Sequence, residues 1–195
     1  MTTCILLSAG ESQRFGSPKA LARTSQHTAI EDLQNALINS IADDIIVVLG
    51  AHLDTIKPHV FNHKKVRIVY NKDYKLGQTS SFQAGLSAVG DKASAVLLVP
   101  VDCPFIRTDT IDTLIHHFKQ NNPSILVPAY KNKRGHPPVF NISLKNDILA
   151  LAPSVGLNSL FQRHTPRVLE MDDPGIILTF NTPGELAQIK NKEEH

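Results

Sequence analysis

Between Gly10 and Lys19 the chain carries Gly10, Ser12, Arg14, Gly16 and Lys19, five residues that could each meet an anion. Such a turn offers backbone N–H groups, a hydroxyl at Ser12, a planar donor fork at Arg14 and a point charge at Lys19. That donor set suits a polyphosphate. Asp102 is a second candidate, the one carboxylate closing the apolar run "AVLLVPV". Asn71 and the segment from Gly77 to Ser80 and Ser81 form a third group. His136, inside "RGHPPVF", is a fourth.

Spacing excludes three familiar glycine loops. A P-loop has four residues between its glycines and then Lys-Ser or Lys-Thr. Here five residues separate Gly10 from Gly16, and Ser17-Pro18-Lys19 follows. A dinucleotide fingerprint puts a glycine two residues after the first, where this chain has Ser12. A nucleophile elbow needs Gly-x-Ser-x-Gly, and position 14 is Arg14.

The elements that must position these residues alternate. Cys4 to Leu7 reads as a buried strand running into the glycine turn. Thr28 and Glu31 form a capping-box pattern ahead of the helical stripe Ile30, Leu33, Leu37 and Ile41. "DIIVVL" from Asp44 is a β-branched strand buried on both faces. A short helix over Leu53 to Val60, a strand at Val66 to Tyr70, and a helix carrying Phe82, Leu86 and Val89 follow. Ala95 to Val101 is a third buried strand, stopping at Asp102-Cys103-Pro104. Then come a helix over Thr110 to Phe118, a strand at Ser124 to Ala129 and a polar loop holding "RGHPPVF". Two short helices, strands at Arg167 to Met171 and Ile176 to Phe180, and a closing helix from Pro183 complete the pattern. The alternation predicts a mostly parallel sheet with helices on both faces, in one domain spanning residues 1–195. Ligands of such sheets sit past the carboxyl ends of the strands, where both the Ser8–Lys19 turn and the Asp102 corner fall.

Composition bounds the partners. The chain has 195 residues, 42% of them hydrophobic, and a formal net charge of +2. That suits a packed core and argues against a nucleic-acid binder working by bulk charge. Cys4 and Cys103 sit in or beside apolar runs without metal-ligand spacing, as in a reduced intracellular protein. With no signal-peptide pattern and no stretch approaching a membrane span, a cytoplasmic setting is expected.

Taken in order, five segments resemble the MobA-like nucleotidyltransferases, the family of the molybdenum cofactor guanylyl- and cytidylyltransferases. The opening loop resembles the family signature. "IEDLQNALINSIADDIIVVLG" resembles its first helix and second strand, "GQTSSFQAGL" its Gly-x-x-Ser-Ser segment, "VPVDCPFI" its Asp-x-Pro metal corner, and "RGHPPVF" the Gly-His-Pro segment of the cytidylyl branch. The match extends about as far as Glu185. Leu7-Ser8-Ala9-Gly10 stands where the guanylyl branch has Leu-Ala-Gly-Gly, so the resemblance favours the cytidylyl form.

The resemblance implies a three-layer, Rossmann-like nucleotidyltransferase fold with a mixed, mostly parallel sheet. It implies transfer of CMP from CTP, or of another nucleotide from GTP, to a phosphorylated acceptor such as molybdopterin, with pyrophosphate released. A molybdoenzyme apoprotein is a further partner it suggests, with no role for nucleic acid or membrane. Leu7, Ser8, Ala9, Gly10, Ser12, Arg14, Lys19, Asn71, Gly77, Ser80 and Ser81 would bind the nucleotide. Lys19, Arg14 and Asp102 would act in catalysis, Asp102 and Asn181 would hold Mg²⁺ or Mn²⁺, and His136 would meet the acceptor. Structural readings stand beside these roles. Arg14 could pair with Glu11 or Asp102, Ser80 or Ser81 could cap a helix, and His136 could be a loop histidine fixed by Pro137 and Pro138.

One departure stands out. The family often ends in Asp-x-Asp-Thr-Pro-Glu-Asp, and this chain has Thr179-Phe180-Asn181-Thr182-Pro183-Gly184-Glu185. Asn181 offers a neutral oxygen in place of a carboxylate, which a hard cation still accepts. Weaker metal binding is expected. Two alternatives stay open: the same fold acting on a phosphosugar or phosphocholine, and a nucleotide- or pterin-binding chaperone without turnover.

Overall fold

The computed structural model describes residues 1–193, with side chains through residue 191. Eight strands form one sheet: β1 Thr2–Ser8, β2 Asp44–Leu49, β3 Val66–Tyr70, β4 Ala95–Pro100, β5 Ile125–Tyr130, β6 Lys133–Arg134, β7 Val139–Asn141 and β8 Arg167–Glu170. The helices are α1 Ala29–Asn39, α2 Leu53–Ile56, α3 Gln78–Ser87, α4 Thr108–Asn121, α5 Lys145–Leu149, α6 Leu160–Arg163 and α7 Pro183–Glu193, joined by short 3-10 turns. Strands run in the order β3-β2-β1-β4-β7-β5, with β8 parallel on the far edge of β5. The pairs β3/β2, β2/β1 and β1/β4 are parallel, while β7 is antiparallel to both β4 and β5.

Period-two alternation explains why β1, β2 and β4 read as unbroken apolar runs. Ile5, Leu7, Ile46, Val48, Val96 and Leu98 pack on one face against Phe82 and Leu86 of α3. Cys4, Leu6, Ile45, Val47, Leu97 and Val99 pack on the other against Leu33 and Leu37 of α1 and Leu114 of α4. Both faces are covered, so the middles of these strands are apolar and the polar residues Thr2, Thr3, Ser8 and Asp44 stand at their ends. The α1 cap forms as its sequence predicts: the Glu31 carboxylate accepts the Thr28 N–H at 2.8 Å and meets His59 Nδ1 at 3.0 Å. The Thr28 backbone donor, and then His59, pull the Glu31 carboxyl down to about 2.

Two segments differ from the sequence expectation. "RGHPPVF" is not simply loop, because it carries β6 into β7 along one edge of β5. These strands of two and three residues are too short to show a period. Between them, the Gly135 N–H bonds Pro128 O at 2.8 Å and Pro138 O accepts from Leu98 N at 3.1 Å. His136 therefore sits in a bulge between the ends of β4 and β5. The expected strand at Ile176 to Phe180 is instead a 3-10 turn, Pro174–Ile177, followed by extended chain. Pro174 and the Asp173 side chain, which caps the Gly175 N–H at 2.9 Å, begin a turn, and β8 already fills the edge of β5. A side chain at Gly135 would strike the Ile176 carbonyl, so that turn lies directly on the bulge.

Candidate active site

The turn after β1 folds over itself. Ser12 takes a left-handed conformation (φ 55°), and its carbonyl accepts from Phe15 and Gly16 at 2.9 and 3.1 Å. Gly16 (φ 80°) then reverses the chain, a conformation glycine adopts without strain. The Ser12 hydroxyl accepts the Lys19 N–H at 3.0 Å and closes the loop. The next turn holds it from outside: Ala51 N–H reaches Ala9 O at 2.9 Å, and the His52 ring meets Glu11 O at 3.2 Å. Among the described residues, the N–H groups of Gly10 to Arg14 find no protein acceptor. They are available to an anion.

Asp102 begins the corner after β4. Its backbone carbonyl accepts the N–H of Phe180 at 3.3 Å, and the fully buried Phe180 ring packs on Phe15 at 5.5 Å between centroids. That anchoring carries Asn181 into the cleft beside Asp102. Lys19 Nζ lies 2.9 Å from Asp102 Oδ2 and 3.2 Å from Asn181 Oδ1. An Arg14 guanidinium nitrogen lies 2.9 Å from the same Asn181 oxygen. Arg14 thus pairs with Asn181, and neither Glu11 nor Asp102 takes it.

The cleft has a volume of about 580 Å³. Leu7, Ser8, Ala9, Gly10, Ser12, Arg14, Lys19, Gly77, Ser81, Asp102 and Asn181 all line it, brought together from both ends of the chain. Asn71, Ser80 and His136 do not. Asn71 is buried and donates to Ser80 Oγ at 3.1 Å and Ser81 Oγ at 3.0 Å, while its own oxygen accepts the Asp73 N–H at 3.0 Å. Ser80 Oγ also meets Gly77 O at 2.9 Å. This knot ties the end of β3 to the start of α3 and supports the cleft wall from below. Glu11, Gln13 and Gln78, inside the motif segments but given no role by them, and Tyr74 and Lys75, outside them, line the cleft as well.

His136 is largely buried, and its Nδ1 has no protein partner among the described residues. Burial lowers its pKa, against an opposing pull from Asp102. The Cys103 thiol is pushed up by burial and then by Asp102, so it is no nucleophile.

A divalent cation fits the donor set. Asp102 and Asn181 present hard oxygens that already converge on one cationic point, the Lys19 ammonium. Among the described residues no group of three or more His, Cys, Asp or Glu gathers, so phosphate oxygens and water would complete the shell.

A mixed sheet flanked by helices, with a donor-rich turn and a strand-end carboxylate at one edge, suits an enzyme that handles a nucleotide. Residues 4–168 match the MobA-like NTP transferase domain, and the chain belongs to that family. It is a nucleotidyltransferase. It is 24% identical to the molybdenum cofactor cytidylyltransferase of Escherichia coli over 190 residues, covering 97% of this chain and 95% of the relative. It is 28% identical over 179 residues to the nicotine blue oxidoreductase of Paenarthrobacter nicotinovorans, covering 88% and 86%. Among solved structures, Rv0371c from Mycobacterium tuberculosis superposes with a TM-score of 0.85 at 22% identity, covering 97% of both chains. A manganese complex of that protein superposes at 0.80 with 21% identity, covering 97% of this chain and 98% of the other. No helix among the described residues is long and apolar enough to cross a membrane.

Proposed function

We propose that this protein transfers the cytidylyl group of CTP to the phosphate of molybdopterin and releases pyrophosphate. One observation carries the reading: Asp102, Asn181, Lys19 and Arg14 meet within 3.2 Å contacts at the mouth of the anion-binding turn. Leu7-Ser8-Ala9-Gly10 and the full-length similarity to a cytidylyltransferase support cytosine as the base.

In this reading an oxygen of the acceptor phosphate attacks the α-phosphorus of CTP. The bond to the bridging α–β oxygen breaks, and pyrophosphate leaves with that electron pair. No general base is required, because the acceptor oxygen is already anionic. The amides of Gly10 to Arg14 and the Lys19 ammonium hold the leaving pyrophosphate, and Arg14 clamps a phosphate through two donors. Asp102 and Asn181 would hold Mg²⁺ or Mn²⁺, which neutralises charge on the phosphates when bound. His136, whose buried Nδ1 has no protein partner among the described residues, would meet the acceptor. The fixed charges need no reorganisation at the moment of transfer, which is where such sites gain most.

The test is pyrophosphate release with Mg²⁺, molybdopterin and CTP, GTP, ATP or UTP in turn. CTP should give the fastest acceptor-dependent release. The proposal fails on acceptor if release requires a phosphosugar or phosphocholine, and on base if GTP is preferred.

A further inference from the structure

Resting on that reading of the metal ligands, we propose that Lys19 acts as an internal cation on the metal position. Divalent metal and triphosphate then bind as a coupled pair. Both oxygens offered to the metal are engaged by protein cations. Asp102 Oδ2 accepts from Lys19 Nζ at 2.9 Å, and Asn181 Oδ1 accepts from Lys19 at 3.2 Å and from Arg14 at 2.9 Å. The second carboxylate oxygen, Asp102 Oδ1, faces the Cys103 thiol at 3.8 Å. The Lys19 and Asp102 side chains are only 17% and 25% exposed, so solvent screens the pair incompletely.

A divalent ion arriving alone must displace an ammonium and then lie beside two positive side chains. A triphosphate removes both obstacles. Its β- and γ-oxygens draw Lys19 and Arg14 away, which releases the Asp102 and Asn181 oxygens and surrounds the metal with negative charge. Linkage then requires the reverse: metal on Asp102 frees Lys19 and strengthens triphosphate binding by the same factor. Lys19 therefore serves twice, as a cation on the carboxylate before binding and as a phosphate ligand after it. The neutral oxygen of Asn181 belongs to the same device. A carboxylate there would hold the metal, and the two cations, more strongly in the absence of nucleotide.

The experiment is a Mn²⁺ titration of the protein without nucleotide or acceptor, followed by electron paramagnetic resonance of free Mn²⁺. Lys19→Met should bind Mn²⁺ about 10-fold more tightly than the wild type, and Lys19→Gln should do likewise, since each removes a competing ion pair worth about one decade. The double variant Lys19→Met/Asp102→Asn should lose the gain. In parallel, both single variants should bind metal-free CTP more weakly. A lysine with only a structural role would loosen both ligands. Unchanged or weaker Mn²⁺ binding in the single variants overturns the proposal, as does a gain that survives loss of Asp102. The titration contains neither CTP nor molybdopterin, so it reads out separately from cytidylyl transfer.

Discussion

Two polar clusters lie at the same edge of the sheet and differ in one respect. The cluster of Asn71, Ser80 and Ser81 is buried, at 4%, 7% and 5% exposure, and Asn71 spends both amide donors and its oxygen on the protein itself. The cluster of Arg14, Lys19, Asp102 and Asn181 is charged and partly open, and its contacts can be exchanged for a ligand's. Both come from family-like motifs. A saturated buried side chain gains rigidity, and Asn71 has no donor or acceptor left for a substrate, while Ser81 also lines the cleft. The Lys19–Asp102 pair is only partly open, and its contacts can still be given up to a ligand's charges. On the proposed function, the second cluster carries the chemistry and the first holds the cleft wall in place.

The sharpest break between them is Asp102→Asn. Turnover should fall by about 10²–10³-fold while the melting temperature barely moves, since a neutral isostere keeps the shape. Pyrophosphate release and a thermal melt on one sample read both. Asn71→Ala should do the opposite. Leaving Ser80, Ser81 and the Asp73 N–H without their buried partner should cost about 2–3 kcal/mol in urea unfolding, with a far smaller loss of turnover in the protein that remains folded. If Asn71→Ala stays stable and loses activity, the knot contacts the nucleotide and the division is wrong.

Two smaller effects sharpen the open cluster. Asn181→Asp restores a carboxylate at the metal position and should tighten Mn²⁺ binding by about 10-fold. His136→Ala should raise the acceptor KM by about 10-fold and leave the CTP KM unchanged, because His136 does not line the cleft. The smallest effect tests a polar contact remote from both. Glu31→Ala removes the α1 cap and should cost about 1 kcal/mol at neutral pH. The Glu31 carboxyl is lowered from 4.5 to about 2 in the folded protein. The stability it contributes is present above pH 4.5 and lost as pH falls toward 2, so the variant's deficit should shrink across that window.

Much of this was legible in the sequence, for physical reasons that also explain the failures. The apolar runs of β1, β2 and β4 are unmistakable because both faces of the sheet are covered. Asp102 stood out because a carboxylate ending such a run has nowhere to go but the ligand edge. Asn181 was legible only through the motif. Its placement depends on the Phe180 N–H reaching Asp102 O across the fold, which no local pattern encodes. Tyr74 and Lys75 lie in the 3-10 turn Tyr74–Leu76, which carries no recognisable spacing. The Ile176-Ile177 pair read as strand from its β-branching, but Pro174 and the Asp173 cap outweigh that propensity.

The central claim is that the open cluster carries out nucleotidyl transfer, and labelled CTP tests it directly. With α-labelled CTP, Mg²⁺ and molybdopterin, the wild type should move label into a molybdopterin dinucleotide, and Asp102→Asn should lose at least 99% of that transfer, the roughly 10²-fold effect expected when a transition-state charge contact is removed. Equal transfer by both proteins, or no acceptor-dependent transfer by the wild type from any triphosphate, would contradict the account.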